Sequence, residues 1–152
     1  MIRELATGRG SQDTKTANEP SALSEREIRH VHAAVKARNA KFRDNVLKAH
    51  GPRCACCSIA IDELLEAAHI VPVASNGSDH HSNGLSLCTL HHKAFDRHLF
   101  TIDPDSRSII YRPGFTADSL KICKSKITSE ISKEALAMRM KIFLDFASLQ
   151  QS

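Results

Sequence analysis

The spacing of apolar residues predicts an amphipathic helix near each end of the chain. Ser24, followed by Glu27, has the form of an N-terminal capping box, and Gly51 is the predicted stop of the first helix. The stretch between them is either one long helix or two helices broken near Arg38–Asn39. Its apolar residues fall mostly at helical spacing: Ile28, Val31, Val35, Phe42, Val46 and Leu47. Residues 132–149 carry a second apolar stripe, formed by Leu136, Met140, Phe143 and Leu144.

The middle of the chain has shorter apolar runs separated by polar turns. "ELLEAAHIVPV" predicts a strand that Pro72 stops, "ASNGSDHHSNG" a loop, and "LSLC" a second short strand. "TLHHKAFDRH" predicts a helix of two to three turns with Leu90 and Phe95 turned inward. "LFTID" and "SIIYR" form a hairpin signal around a turn, and "SLKIC" reads as a further strand. The predicted order is therefore strand, loop, strand, helix, hairpin.

Composition favours a single globular domain. The chain has 152 residues, 41% hydrophobic and 25% charged. Residues 1–23 are polar and aperiodic and predict a flexible N-terminal tail, which leaves 24–152 as the domain. No apolar run reaches the ~18 residues of a membrane helix, and no secretory signal is visible, so we expect a cytoplasmic protein without a membrane partner.

The charge is compatible with a nucleic-acid partner but does not establish one. The formal net charge is +4 and the sequence pI is about 8.9. The chain has no tryptophan and one tyrosine, which disfavours an aromatic platform for stacking bases.

The cysteines predict a structural zinc site. There are five in all, an odd number without a signal peptide, which argues for reduced thiols. Cys54 and Cys57 form a C-x-x-C pair, and Cys88 and His91 form a C-x-x-H pair. Two such pairs supply the four soft ligands of tetrahedral zinc. Two alternatives stay open: the thiols are small core residues, or Cys56 replaces Cys57 as a ligand.

The doublet His91–His92 predicts two separate roles for neighbouring side chains. Adjacent residues point about 100° apart on a helix, so the two imidazoles face different ways. His92 and Asp96, at positions i and i+4, share one face. An imidazole with a carboxylate suits a divalent cation such as Mg²⁺ or Mn²⁺. The alternative is an ordinary pair on the helix surface.

The stretch from about Phe42 to Asp103 resembles a known family. It carries "RCACC", "LEAAHIVP", "SNGLSLCTLHH" and "KAFDRHLFTID" in fixed order. This set resembles the HNH endonucleases of the ββα-metal (His-Me finger) superfamily, in particular the zinc-knuckle-bearing, restriction-type branch. The resemblance implies an α+β fold: a ββα-metal core of about residues 42–103 with a zinc knuckle, flanked by terminal helices and a β-hairpin.

The resemblance also implies a role for each motif residue. His69 matches the general base, Asn83 the asparagine that braces the loop, and His92 a ligand of the catalytic metal. Asp96 matches a further ligand position, and the knuckle ligands match Cys54, Cys57, Cys88 and His91. Ala68 departs from the pattern, because many members have a metal ligand before the catalytic histidine. Glu66 either substitutes for that ligand, orients His69, or is a surface carboxylate.

These features predict a metal-dependent DNA endonuclease. It would use a histidine base, structural Zn²⁺ and one catalytic cation, Mg²⁺, Mn²⁺ or another divalent ion. The candidate phosphate contacts are Arg53, Lys93 and Arg97. A catalytically inactive zinc module that binds nucleic acid is the alternative, favoured by Ala68; a protein-interaction domain is a third. The oligomeric state is open, a homodimer included.

Overall fold

A single long helix comes first in the part of the chain that the structure describes. The computed structural model describes residues 22–151, so the predicted tail lies outside them except for residues 22 and 23. Helix α1 spans Glu25–His50 without a break near Arg38. The predicted capping box is confirmed, because the Ser24 N–H donates to Glu27 Oε2 at 2.7 Å and the Glu27 N–H to Ser24 Oγ at 3.3 Å. Gly51 follows the helix with a φ of 88°.

The apolar stripe of α1 is buried only in its C-terminal part. Phe42, Val46 and Leu47 are buried. The earlier positions, Ile28, Val31 and Val35, are exposed. The chain clusters into two units, one ending at Ala34 and the other comprising Val35–Ser152. The hydrophobic core and every candidate site residue belong to the second unit, and the domain division at residue 24 stays a prediction.

A two-stranded sheet and one helix form the centre of this unit. Strand β1 (Leu65–His69) pairs antiparallel with β2 (Gly84–Cys88), so that Leu65 faces Cys88 and His69 faces Gly84. Helix α2 (Thr89–Asp96) follows β2 directly and packs on both strands. The predicted order of strand, loop, strand and helix is confirmed, and the fold is α+β with a ββα core.

Gly84 allows α1 to lie close to this hairpin. A Cβ atom at Gly84 would lie 2.4 Å from Val46 Cγ2 and 2.9 Å from Phe42 Cζ. Both distances are far below a van der Waals contact, so a larger residue would push the helix away. Because Gly84 faces His69 across the ladder, this close approach places Phe42 beside the end of β1.

The C-terminal third adds a hairpin and two helices. Strands β3 (Phe100–Ile102) and β4 (Ile109–Tyr111) pair antiparallel, as predicted. Helix α3 (Ala117–Leu120), capped by Thr116, occupies part of "SLKIC", so the strand predicted there is wrong. Helix α4 (Lys133–Leu149) packs on β3. Within residues 22–151, no helix is both long and apolar enough to cross a membrane.

Two predicted inward positions are wrong. Leu90 is 51% exposed, whereas Phe95 is fully buried. Residues five apart lie about 140° apart around a helix, so one narrow core face cannot hold both. In α4, Leu144 is 56% exposed for a similar reason, since it adjoins the buried Phe143.

Arg139 occupies a core position that the apolar pattern did not predict. Its side chain is 2% exposed. It donates hydrogen bonds to the main-chain carbonyls of Phe95 and of Ile70, the latter at 3.4 Å. Its guanidinium also lies 4.0 Å from the centroid of the Phe95 ring. Burial lowers the pKa of Arg139 to about 10. Arg139 thus ties α4 to the ends of β1 and α2, the two elements that carry the candidate site.

Candidate active site and metal centre

Four buried side chains come together between the turn after α1, the end of β2 and the start of α2. Cys54 and Cys57 lie in the turn after α1, Cys88 ends β2, and His91 is in the first turn of α2. All four are buried, and their ligand atoms lie within 4.8 Å of one another. The two predicted pairs are therefore brought together as one group.

The distances fit a tetrahedral zinc ion. His91 Nδ1 lies 3.2 Å from Cys88 Sγ and 3.4 Å from Cys54 Sγ. Cys57 Sγ lies 4.0 Å from Cys88 Sγ. Zinc bonds of about 2.0–2.3 Å at tetrahedral angles separate neighbouring ligand atoms by roughly 3.5–3.8 Å. Three thiols and one imidazole are also a donor set that selects zinc.

Cys56 does not belong to this group of four side chains. Its N–H donates to Cys54 Sγ at 3.4 Å, so Cys56 supports the site through its main chain. A hydrogen bond to Cys54, together with burial, raises the pKa of the Cys56 thiol and keeps it protonated. The arrangement favours the C-x-x-C pair over the swap of Cys56 for Cys57.

The second ring nitrogen of His91 has its own partner. His91 Nε2 lies 2.8 Å from the carbonyl oxygen of Leu120, to which it donates. This bond leaves Nδ1 without a proton and directed at the thiols, which is how metal-binding histidines are usually oriented. Leu120 was not identified from the sequence, because its segment was predicted as a strand and carries no local signal for this contact.

A cleft of about 650 Å³ opens on the other side of α2. Helix α1, strand β1 and helix α2 form its walls. Its charged and imidazole-bearing lining comprises Lys36, Arg43, Glu66, His69, His92 and Asp96. The cleft therefore brings together the predicted base and the predicted ligands of a catalytic cation.

His92 lies between two carboxylates. Its Nε2 is 3.2 Å from Asp96 Oδ2, and its Nδ1 is 2.5 Å from Glu66 Oε2. The hydrogen bond with Asp96, reinforced by Glu66, raises the pKa of His92 despite its partial burial. The sequence left three roles open for Glu66. In the structure its carboxylate contacts His92 and not His69. Glu66 therefore orients the His92 ring from the nitrogen opposite Asp96.

His69 ends β1 with its ring held on two sides. Its imidazole stacks on Phe42, with centroids 3.8 Å apart and an interplanar angle of 11°. Its Nε2 lies 2.9 Å from Asp79 Oδ1. The role of Asp79 could not be predicted from the sequence, because an aspartate in a polar loop has the appearance of a solvated turn residue.

Asn83 braces the loop that joins the two strands. Its side chain is buried and accepts a hydrogen bond from the Val71 N–H at 2.9 Å. Its amide group donates to the carbonyls of Val71 at 3.1 Å and Ser78 at 2.8 Å. These bonds hold both ends of the loop that follows His69.

The predicted DNA contacts lie apart from the cleft lining. Arg53, Lys93 and Arg97 are exposed, and none of them lines the cleft. The basic residues of its wall are Lys36 and Arg43, both from α1. Arg43 also donates to the carbonyls of Leu65, at 3.0 Å, and Asp62, at 2.7 Å.

Comparisons with known proteins agree with this geometry. Residues 54–103 match the family model of the HNH endonucleases. A solved structure described as "Modification dependent TagI restriction endonuclease" superposes with a TM-score of 0.53 at 24% identity, covering 68% of this chain and 37% of that one. At this identity the likeness concerns the fold. Over residues 54–103, the match confirms the resemblance to the HNH endonuclease family that the motifs predicted.

The chain is also similar to much longer proteins. Zinc finger protein 532 of Homo sapiens is 32% identical over 94 residues, which are 60% of this chain and 7% of that protein. The Mus musculus protein of the same name matches equally well over 9% of its length. This chain therefore spans less than a tenth of either relative.

Proposed function

We propose that this chain is a metal-dependent DNA endonuclease that hydrolyses phosphodiester bonds. The observation that carries the proposal is that His69, on β1, lines the same cleft as His92 and Asp96, on α2. The HNH family match and the restriction endonuclease neighbour support a nuclease of this kind.

His69 is the proposed general base. Its Nε2 is occupied by Asp79. Among residues 22–151, Nδ1 has no hydrogen-bond partner, so it is free to take a proton from an attacking water. Buried Asn83 holds the loop on which this ring depends.

His92 and Asp96 are the proposed ligands of the catalytic cation. Their N and O donors suit Mg²⁺, Mn²⁺ or a similar divalent ion, which when bound would stabilise negative charge on the phosphate. His92 Nε2 and Asp96 Oδ2 lie 3.2 Å apart, so the two donors are already adjacent. Glu66, at Nδ1, fixes the orientation of the His92 ring.

The knuckle has a structural role in this proposal. Zn²⁺ bound by Cys54, Cys57, Cys88 and His91 would fix the start of α2 against the turn after α1. DNA phosphates would contact Arg53, Lys93 and Arg97, with Lys36 as an additional contact in the cleft wall. A cytoplasmic location and the oligomeric state stay predictions.

Plasmid cleavage tests the proposal. Purified protein should nick or cut plasmid DNA when Mg²⁺ or Mn²⁺ is added, and His69→Ala should abolish this activity. His80→Ala is the matched control, because His80 is an exposed loop histidine that contacts Ser82 and lies outside the cleft lining. Undiminished cleavage by His69→Ala would refute the assigned base. No cleavage of modified or unmodified DNA with any divalent cation would refute the endonuclease.

A zinc module that binds nucleic acid without cleaving it is the second candidate. Ala68 favours it, because this fully buried residue offers no ligand where many family members have one. The similarity to zinc finger proteins points the same way. A gel-shift assay that shows DNA binding, beside a plasmid assay that shows no cleavage with any cation, would establish this alternative.

A further inference from the structure

Asp79 is held in place by a residue from α1. Arg38 Nε lies 2.5 Å from Asp79 Oδ2, and Arg38 Nη2 lies 2.9 Å from Asp79 Oδ1. Two parallel N–H···O bonds of this kind fix the plane of the carboxylate as well as its position. Arg38 thus holds the Asp79 carboxylate in one orientation.

The same carboxylate binds the proposed base. Asp79 Oδ1 accepts from His69 Nε2 at 2.9 Å, so Oδ1 serves Arg38 and His69 together. Hydrogen bonds from Arg38 and His69 lower the pKa of Asp79 to about 2. An ionised carboxylate can only accept hydrogen bonds, so the proton between the two groups must be on Nε2.

The ring has little freedom to choose another arrangement. Phe42 covers one face of the His69 imidazole at a centroid distance of 3.8 Å. A half-turn of the imidazole ring would break its hydrogen bond to Asp79 Oδ1, although the ring would still stack on Phe42. The side chains of Arg38 and Asp79 are 43% and 40% exposed, and exposed ion pairs contribute little to stability. The main physical consequence of this pair is therefore the orientation of His69.

We propose that Asp79, anchored by Arg38, is a positioning residue that holds His69 in the Nε2–H tautomer and leaves Nδ1 as the proton acceptor. The catalytic consequence rests on the proposed endonuclease function, but the tautomer does not. The competing explanation is an ordinary surface ion pair that happens to lie beside a histidine.

Nitrogen NMR of the imidazole rings tests the tautomer without any substrate. Long-range ¹H–¹⁵N spectra would be recorded for the zinc-loaded wild type and for Asp79→Asn, Arg38→Ala and Asp105→Asn, with His69→Gln identifying the His69 signals. Asp105 pairs with Lys133 at 2.6 Å on the exposed surface and is the matched control. We expect Nε2–H in the wild type and in Asp105→Asn, and a shift toward the other tautomer in Asp79→Asn. A wild-type Nδ1–H tautomer, or His69 signals in Asp79→Asn and Arg38→Ala identical to those of the wild type, would overturn the proposal.

Kinetics test the catalytic consequence. Asp79→Asn should lower kcat about 10- to 100-fold while KM changes by less than about threefold, because the base and not DNA binding is affected. Asp79→Glu should lose less of kcat than Asp79→Asn, and Arg38→Lys should lose less than Arg38→Ala. Asp105→Asn should cleave as the wild type does. Wild-type kcat in a folded Asp79→Asn variant would overturn the positioning role. If the wild type cleaves no DNA, the endonuclease proposal fails, and the NMR spectra still decide the tautomer.

Discussion

Replacing each histidine of the doublet by alanine should give two different defects. His91 is 1% exposed, with Nδ1 among the thiols and Nε2 on the Leu120 carbonyl. The side chain of His92 is 24% exposed, and its two ring nitrogens pair with Glu66 and Asp96 at the cleft. His91→Ala should therefore lose zinc and stability, whereas His92→Ala should lose cleavage and keep its fold. Each variant is the matched control for the other.

The contacts of His91 set the size of its defect. Its loss leaves the buried Leu120 carbonyl without a donor, which costs about 1–3 kcal/mol. It also removes one of four ligands from a site whose metal contributes about 10–16 kcal/mol in zinc-finger peptides. A total loss of at least ~3 kcal/mol would lower Tm by roughly 6–12 °C in a domain of this size. A partly exposed pair such as His92 with Asp96 contributes less than about 1 kcal/mol.

Three measurements on the same preparations check this pair of variants. Elemental analysis gives bound zinc per chain, circular dichroism gives Tm, and a plasmid assay gives cleavage. We expect near-stoichiometric zinc and an almost unchanged Tm for His92→Ala, with cleavage lost. His91→Ala that retains its zinc and its Tm would refute the separation of roles, as would His92→Ala that loses zinc.

Three further changes probe the packing and charge around the cleft. Gly84→Ala places a Cβ atom 2.4 Å from Val46 Cγ2, so it should cost about 1–3 kcal/mol in urea unfolding and weaken cleavage by displacing Phe42; wild-type stability would contradict this. Arg139→Leu leaves the buried Ile70 carbonyl without its side-chain donor, while the Phe95 carbonyl keeps the His98 N–H, so it should cost about 1–3 kcal/mol in the same assay, and a stabilised variant would contradict it. The pKa of His92 is raised in the folded protein, so the protonated ring stabilises the fold. This stabilisation is complete below the unfolded pKa of about 6.5 and is lost as pH rises through the folded pKa. Without added divalent cation, the Tm difference between wild type and His92→Gln should therefore shrink from about pH 6 to about pH 9, and a growing difference would count against this reasoning.

The sequence predicted those features whose geometry is local. C-x-x-C and C-x-x-H turns aim two ligands at one point within a few residues, so the knuckle could be predicted before its neighbours were known. The helical angle between adjacent residues likewise separated His91 from His92. Strand, loop, strand and helix followed from short apolar runs and turn residues.

The features that were missed depend on contacts between distant segments. Asp79 acquires its role only because α1 brings Arg38 to it across 41 positions of the chain. Leu120 supports His91 from 29 positions away through a main-chain carbonyl, which has no sequence signature. Arg139 reads as a polar interruption of an apolar stripe, and its two carbonyl partners become visible only in the packed structure.

The site therefore extends beyond the segment that matches the family. Residues 54–103 contain the proposed base, the proposed ligands and the knuckle. Two residues of α1, which precedes that segment, orient the proposed base. Arg38 acts by anchoring Asp79, and Phe42 stacks on the His69 ring. Because Gly84 admits α1 to the hairpin, one glycine inside the segment makes this external support possible. A ββα core with the same motifs but a differently placed α1 would have the residues of the site without the fixed orientation of His69.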